Sequence, residues 1–125
     1  MFEDERTEAS VALLRRVAAD GAVVPGLWRL EVANGLLSAL RRKRITADYR
    51  DAAVADLDAL DLAVDAETDR RAWAETLRLA ERWGLSAYDA SYLELARRRA
   101  LPLASLDAKL RAAASSLGTE VLGAA

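Results

Sequence analysis

The chain contains no cysteine and no histidine. Without cysteine there is no disulfide framework and no thiolate metal site, so nothing in the composition calls for an oxidising compartment. Without histidine there is no imidazole base, no Ser-His-Asp triad and no common zinc site. Any catalysis must run through carboxylates, hydroxyls, Lys or Arg, or through a hard metal ion held by oxygen. No segment is apolar for long enough to cross a bilayer. The opening Met1-Phe2-Glu3-Asp4-Glu5-Arg6 is acidic and lacks the basic and apolar regions of a signal peptide. A cytoplasmic protein with no membrane partner is expected. Excess positive charge is missing too: the formal net charge is -2. That argues against non-specific nucleic-acid binding through an overall basic field. It leaves room for an enzyme that places a few basic groups beside an acidic metal site.

What is present describes one globular unit. Of the 125 residues, 53% are hydrophobic and 30% charged, a balance that supports a core and argues against disorder. That length suits one domain. With no linker, low-complexity tract or repeat, residues 1–125 are expected to form it alone.

Hydrophobic spacing predicts a helix from about Glu5 to Ala19, ended by Asp20-Gly21, and a short buried strand at Ala22-Val23-Val24, stopped by Pro25-Gly26. A strong helix follows from Leu27 to about Lys43. Its expected apolar stripe is Leu30, Ala33, Leu37 and Leu40, widened by Val32 and Leu36. Thr46 reads as the N-cap of a helix running through Val54 and Leu57 to about Leu60. Leu62-Ala63-Val64 is the next strand, and a helix from Glu67 to Trp83 stops at Gly84. Ser86 opens a helix to Arg99, Leu101 to Ser105 reads as a strand, Ala108 to Leu117 as a short helix, and Glu120-Val121-Leu122 as a last strand. Short apolar strands alternating with amphipathic helices imply an α/β fold with a mostly parallel sheet covered by helices. In such sheets ligands bind beyond the C-terminal ends of the strands.

Three carboxylates fall where chemistry is expected. Asp107 follows the strand that ends near Ser105, and Asp is also a preferred helix N-cap. Asp89 lies in a first helical turn, three residues after Ser86, where a carboxylate is favoured by the helix dipole and completes a spacing like that of a capping box. Glu31 sits inside the most apolar helix and shares a face with Asn34 and Ser38, a polar stripe that faces either bulk water or an aqueous cleft. Together the three offer oxygen ligands suited to Mg²⁺ or Mn²⁺, and such an ion can activate water and stabilise charge on a phosphodiester without histidine. The basic runs Arg41-Arg42-Lys43-Arg44 and Arg97-Arg98-Arg99 read as solvated helix ends or phosphate contacts. Trp28, Trp73 and Trp83 read as core or interface residues.

At these residues the sequence resembles the PIN-domain family, and in particular the small PIN toxins of the VapBC type. The resemblance is carried by Glu31 in Glu31-Val32-Ala33-Asn34, by Asp89 in Tyr88-Asp89-Ala90-Ser91-Tyr92-Leu93-Glu94-Leu95-Ala96, and by Asp107 in Leu103-Ala104-Ser105-Leu106-Asp107-Ala108-Lys109-Leu110. It implies a three-layer α/β/α PIN fold and Mg²⁺- or Mn²⁺-dependent cleavage of RNA. It also implies a cognate antitoxin that blocks the site, and a homodimer. On that pattern Glu31, Asp89 and Asp107 are metal-site carboxylates and catalytic residues, Ser105 is the small hydroxyl residue near the metal, and Asn34 has a supporting role.

The sequence departs from the family at its start. PIN domains normally open with a strand ending in an aspartate, and here the chain starts after that point. Asp4 is no substitute, because it lies beyond the place of the missing strand. Either Met1 is internal to a longer protein or the short chain is a real product. Loss of a central strand exposes its neighbours' edges and removes one carboxylate. Weak or absent nuclease activity with Mg²⁺ is therefore expected of the chain as it stands, or a module that only binds an antitoxin or partner subunit. Turnover equal to that of a form extended upstream would overturn this expectation.

Overall fold

The computed structural model describes Arg16 and residues 21–123. The helix expected over Glu5 to Ala19 therefore lies almost wholly outside the described residues. By its internal contacts the chain divides into two compact units, Met1–Ala22 with Leu27–Ala63, and Val23–Gly26 with Val64–Ala125.

The first unit contains α1 (Trp28–Arg41) and α2 (Ala47–Asp58), which pack against each other. Thr46 caps α2 as its spacing predicts, its Oγ1 accepting the Tyr49 N–H at 3.1 Å. The buried face of α1 is not the expected one. Trp28, Val32, Gly35, Leu36 and Ala39 are buried, whereas Leu30 is 76% exposed, Leu37 is 43% exposed and Ala33 is exposed. Val32 and Leu36, taken as the margin of the stripe, are its centre. Trp28 stands one turn before Val32 and lines up with Leu36 and Ala39, so the largest side chain sets which face turns inward. In α2, Ala53 and Leu57 are buried and Val54 is half exposed.

The second unit is built around α3, α4 and α5. Helix α3 runs through three stretches, Thr68–Arg71, a π-helical Ala72–Thr76 and Leu77–Trp83. The π stretch is a local widening of the helix that spacing alone did not predict. Gly84, at φ 65°, ends α3 in the left-handed conformation. Helix α4 covers Ala87–Arg98 and α5 covers Ala108–Ser116. Leu79, Ala80, Ala90, Leu93, Ala96, Leu103, Leu110, Ala113 and Ala114 form the core, with Trp83, Leu85 and Tyr92 packed on it.

The strands are short: β1 (Ala22–Val24), β2 (Leu62–Val64), β3 (Leu103–Ala104) and β4 (Val121–Leu122). They make two two-stranded sheets, β1 with β2 and β3 with β4, in place of one continuous sheet among the described residues. β3 and β4 are parallel, with Leu103 opposite Val121 and Ala104 opposite Leu122. Pro102 has no N–H to give, so β3 starts two residues later than the expected Leu101. β3, α5 and β4 form one strand–helix–strand unit, as the parallel pairing demands.

Helix α4 ends on Ala100 at φ 54°, with the Leu101 N–H donating to Ala96 O at 2.9 Å. This is a left-handed cap filled by a residue whose Cβ crowds it. Replacing Ala100 by Gly is expected to stabilise the protein by about 0.5–1 kcal/mol. A shift of the urea midpoint to higher concentration, without a change in slope, checks this.

Candidate functional site

Asp107 is the N-cap of α5: its Oδ2 accepts the Leu110 N–H at 2.9 Å. Its own N–H donates to Ser105 Oγ at 3.0 Å. Ser105 is held in turn from two sides, its N–H donating to Leu122 O at 3.0 Å and its carbonyl accepting Arg111 Nη1 at 2.7 Å. A Cβ on Gly123 would overlap both Arg111 Nη1 and Ser105 O, so only glycine fits there. Ser105 and Asp107 are thus brought together at the C-terminal end of β3, where an α/β fold presents its reactive groups. Both are half-buried.

Asp89 lies in the first turn of α4 and is half-buried, with its backbone N–H donating to Ser86 Oγ at 3.0 Å. The Ser86 cap is as expected. Asp89 and Asp107 therefore each stand at a helix N-terminus in the second unit, where the helix dipole favours the ionised carboxylate. Glu31 and Asn34 belong to the first unit. Glu31 is half-buried in the first turn of α1, with its N–H donating to Leu27 O at 3.0 Å, and Asn34 is exposed.

Carboxylates of this kind are suitable donors for a hard divalent ion. Among the described residues, however, no three His, Cys, Asp or Glu side chains are grouped so as to hold one. The donor chemistry fits a metal and the grouping does not, so no catalytic step is routed through one below.

The strongest electrostatic feature is one that spacing did not single out. Asp65, directly after β2, and Glu94, inside α4, are both buried. Arg98 lies between them. Its Nη1 and Nη2 donate to the two oxygens of Asp65 at 3.2 and 2.7 Å, and its Nε donates to Glu94 Oε2 at 2.7 Å. Thr68 Oγ1 adds a bond to Asp65 Oδ2 at 3.0 Å and accepts the Gly26 N–H at 3.0 Å. Glu67 extends the network at 3.5 Å from Arg98 Nη1, and Arg71 binds Glu67 at 3.0 Å. The hydrogen bonds from Arg98 hold the Asp65 carboxyl below its usual range, against the effect of burial. The two carboxylates raise the Arg98 guanidinium further above its already high value.

Arg98 was expected at a solvated helix end, and only its neighbours Arg97 and Arg99 are exposed. Two signals could have shown the difference. Glu94 and Arg98 are four residues apart, and Glu94 is flanked by Leu93 and Leu95 on a helix whose other inward positions are apolar. The tryptophans divide: Trp28 is buried and Trp83 packs on the core, but Trp73 is 92% exposed.

An α/β chain with carboxylates at helix N-termini behind short parallel strands defines a nucleotide- or phosphate-processing class of fold only loosely. The comparison with protein families is more definite. The chain matches the PIN domain over residues 1–115, and it belongs to the PIN domain family. No curated protein and no solved structure matches it.

Arg98→Met is expected to destabilise the protein by about 3–5 kcal/mol, because it leaves two buried carboxylates without a cation. The pH dependence follows from the depressed Asp65 value. The stabilisation is fully present above the ordinary carboxylate value of 3.8 and is lost as pH falls through the lower folded value. Denaturant titrations of both proteins between acid and neutral pH check this. The wild type should lose stability on acidification below the ordinary value, and the variant should lose less.

Proposed function

We propose that the chain is a metal-dependent endoribonuclease that hydrolyses phosphodiester bonds in RNA, and that it is the toxin of a toxin–antitoxin pair. Family membership is the observation that carries this reading: PIN domains are generally metal-dependent nucleases, and the match spans residues 1–115. In this proposal Glu31, Asp89 and Asp107 are the metal-site carboxylates for Mg²⁺ or Mn²⁺, with Asn34 and Ser105 in support. A cognate antitoxin that covers the site, a homodimer and a cytoplasmic address belong to the same proposal. That no helix among the described residues is long and apolar enough to cross a membrane is consistent with it.

The chemistry available favours carboxylates and water over side-chain nucleophiles. With no His and no Cys in the chain, proton transfer falls to Asp, Glu or solvent. The N-capping bond to Asp107 and the Ser86 cap beside Asp89 hold these residues at helix N-termini, so neither needs a large reorganisation to present a negative charge.

The second reading is a PIN domain that binds an antitoxin or partner subunit without cutting RNA. It is favoured by the absence, among the described residues, of a group of three candidate metal ligands.

Asp107→Asn separates capping from catalysis, because Asn caps a helix about as well as Asp. Its stability should stay within about 0.5 kcal/mol of wild type. Mn²⁺ affinity and Mn²⁺-dependent RNA cleavage should each fall by roughly 100-fold or more, as should those of Asp89→Asn. If the unaltered, folded chain neither binds Mn²⁺ in a calorimetric titration nor cuts RNA, the binding-module reading replaces the nuclease.

A further inference from the structure

The outward face of α3 is unlike the rest of the second unit's surface. Trp73 is 92% exposed and Leu77, one turn later, is 54% exposed. Ala74 beside them is exposed as well. Arg70 lies one turn before this apolar centre and Glu81 one turn after it, both exposed. The face therefore reads positive, apolar, negative along the helix axis. The π-helical stretch Ala72–Thr76 carries Trp73 and Ala74, a local departure of a kind often found at functional sites.

A face with this order of charges is complementary to itself when reversed. Two copies of α3 laid antiparallel across a two-fold axis would set Arg70 against Glu81 at both ends of the contact. Trp73 then lies over the Arg78 guanidinium, which is 76% exposed, and Leu77 meets Ala74. A parallel pairing would bring Arg70 against Arg70 and Glu81 against Glu81. An isologous two-fold contact has the required form, in which each residue meets a different residue of the other copy. The small Ala74 side chain at the centre suits a close helix approach of about 8–10 Å.

We propose that this face of α3, centred on Trp73 and Leu77, is where a second copy of this chain docks, with the two helices antiparallel. The proposal deepens the homodimer reading above by naming its surface, and it does not depend on nuclease activity. Trp and Arg are the residues that most often dominate such contacts. A Trp buries about 150–250 Å², so two Trp and two Leu side chains place the interface at the small end of specific ones. The dimer is accordingly concentration-dependent.

Sedimentation equilibrium over a range of concentrations tests this on the full chain. The wild type should dimerise, and Trp73→Glu should be monomeric. Arg70→Glu and Glu81→Arg should each weaken the dimer by about tenfold or more, because each places like charges across the contact. The double variant R70E/E81R should restore it, since exchanging the two charges recreates the pairing. All these side chains are exposed, so far-UV circular dichroism and thermal midpoint should be unchanged. A dimer that survives Trp73→Glu, or a double variant no tighter than the single ones, overturns this surface and leaves dimerisation itself standing. A wild-type chain that stays monomeric overturns both, while the RNA cleavage assay still judges the nuclease reading independently.

Discussion

A carboxylate held away from water must find a cation or give up its charge. In the second unit two of them, Asp65 and Glu94, share the single guanidinium of Arg98. The consequences run through that unit. The bond from Arg98 to Asp65 ties α4 to the end of β2. Thr68 links the same carboxylate to the Gly26 backbone, and Glu67 and Arg71 carry the network into the start of α3. Because Glu94 turns inward, Ala90, Leu93 and Ala96 turn inward with it, and the packing of α4 on α3 and α5 follows. Apolar packing could supply comparable stability at such a position. An ion network adds a geometric requirement, because only one rotation of α4 satisfies all its bonds.

Capping and chemistry need not compete at the candidate carboxylates. Asp107 gives one oxygen to the Leu110 N–H, and this bond fixes the direction of the carboxylate. Ser105, locked between Leu122 and Arg111, fixes the turn that carries it. The backbone reading and the functional reading of Asp107 therefore describe the same geometry. Asp89, in the first turn after the Ser86 cap, shares the favourable end of a helix dipole. The buried acids are a different case. Asp65 and Glu94 are neutralised by Arg98, so the residues with the strongest electrostatic coupling are those with the least capacity to take a ligand.

Much of the architecture was legible because local rules act over a few residues. Thr46, Ser86 and Asp107 cap the helices that their spacing assigned to them, and Gly84 stops α3 where a left-handed residue is needed. Errors arose where two faces of one helix were similarly apolar. Helix α1 offers Leu30, Ala33 and Leu37 on one side and Val32, Leu36 and Ala39 on another, and hydrophobicity alone ranks them nearly equal. Burial goes to the side that carries Trp28. Strand length was overestimated for the related reason that apolar runs extend beyond the residues that find a backbone partner.

The sequence by itself determined the order of helices and strands, the caps, the oxygen-only character of any metal chemistry and, through three separated motifs, the PIN family. These depend on residue type and short spacing, which are complete in one dimension. Only the tertiary structure decided which Arg of Arg97-Arg98-Arg99 is a buried partner, which face of α1 is inside, and that Trp73 stands in solvent. Each of these depends on what lies across from the side chain, often tens of residues away. Asp65 and Arg98 are separated by 33 positions, and no local spacing encodes their meeting.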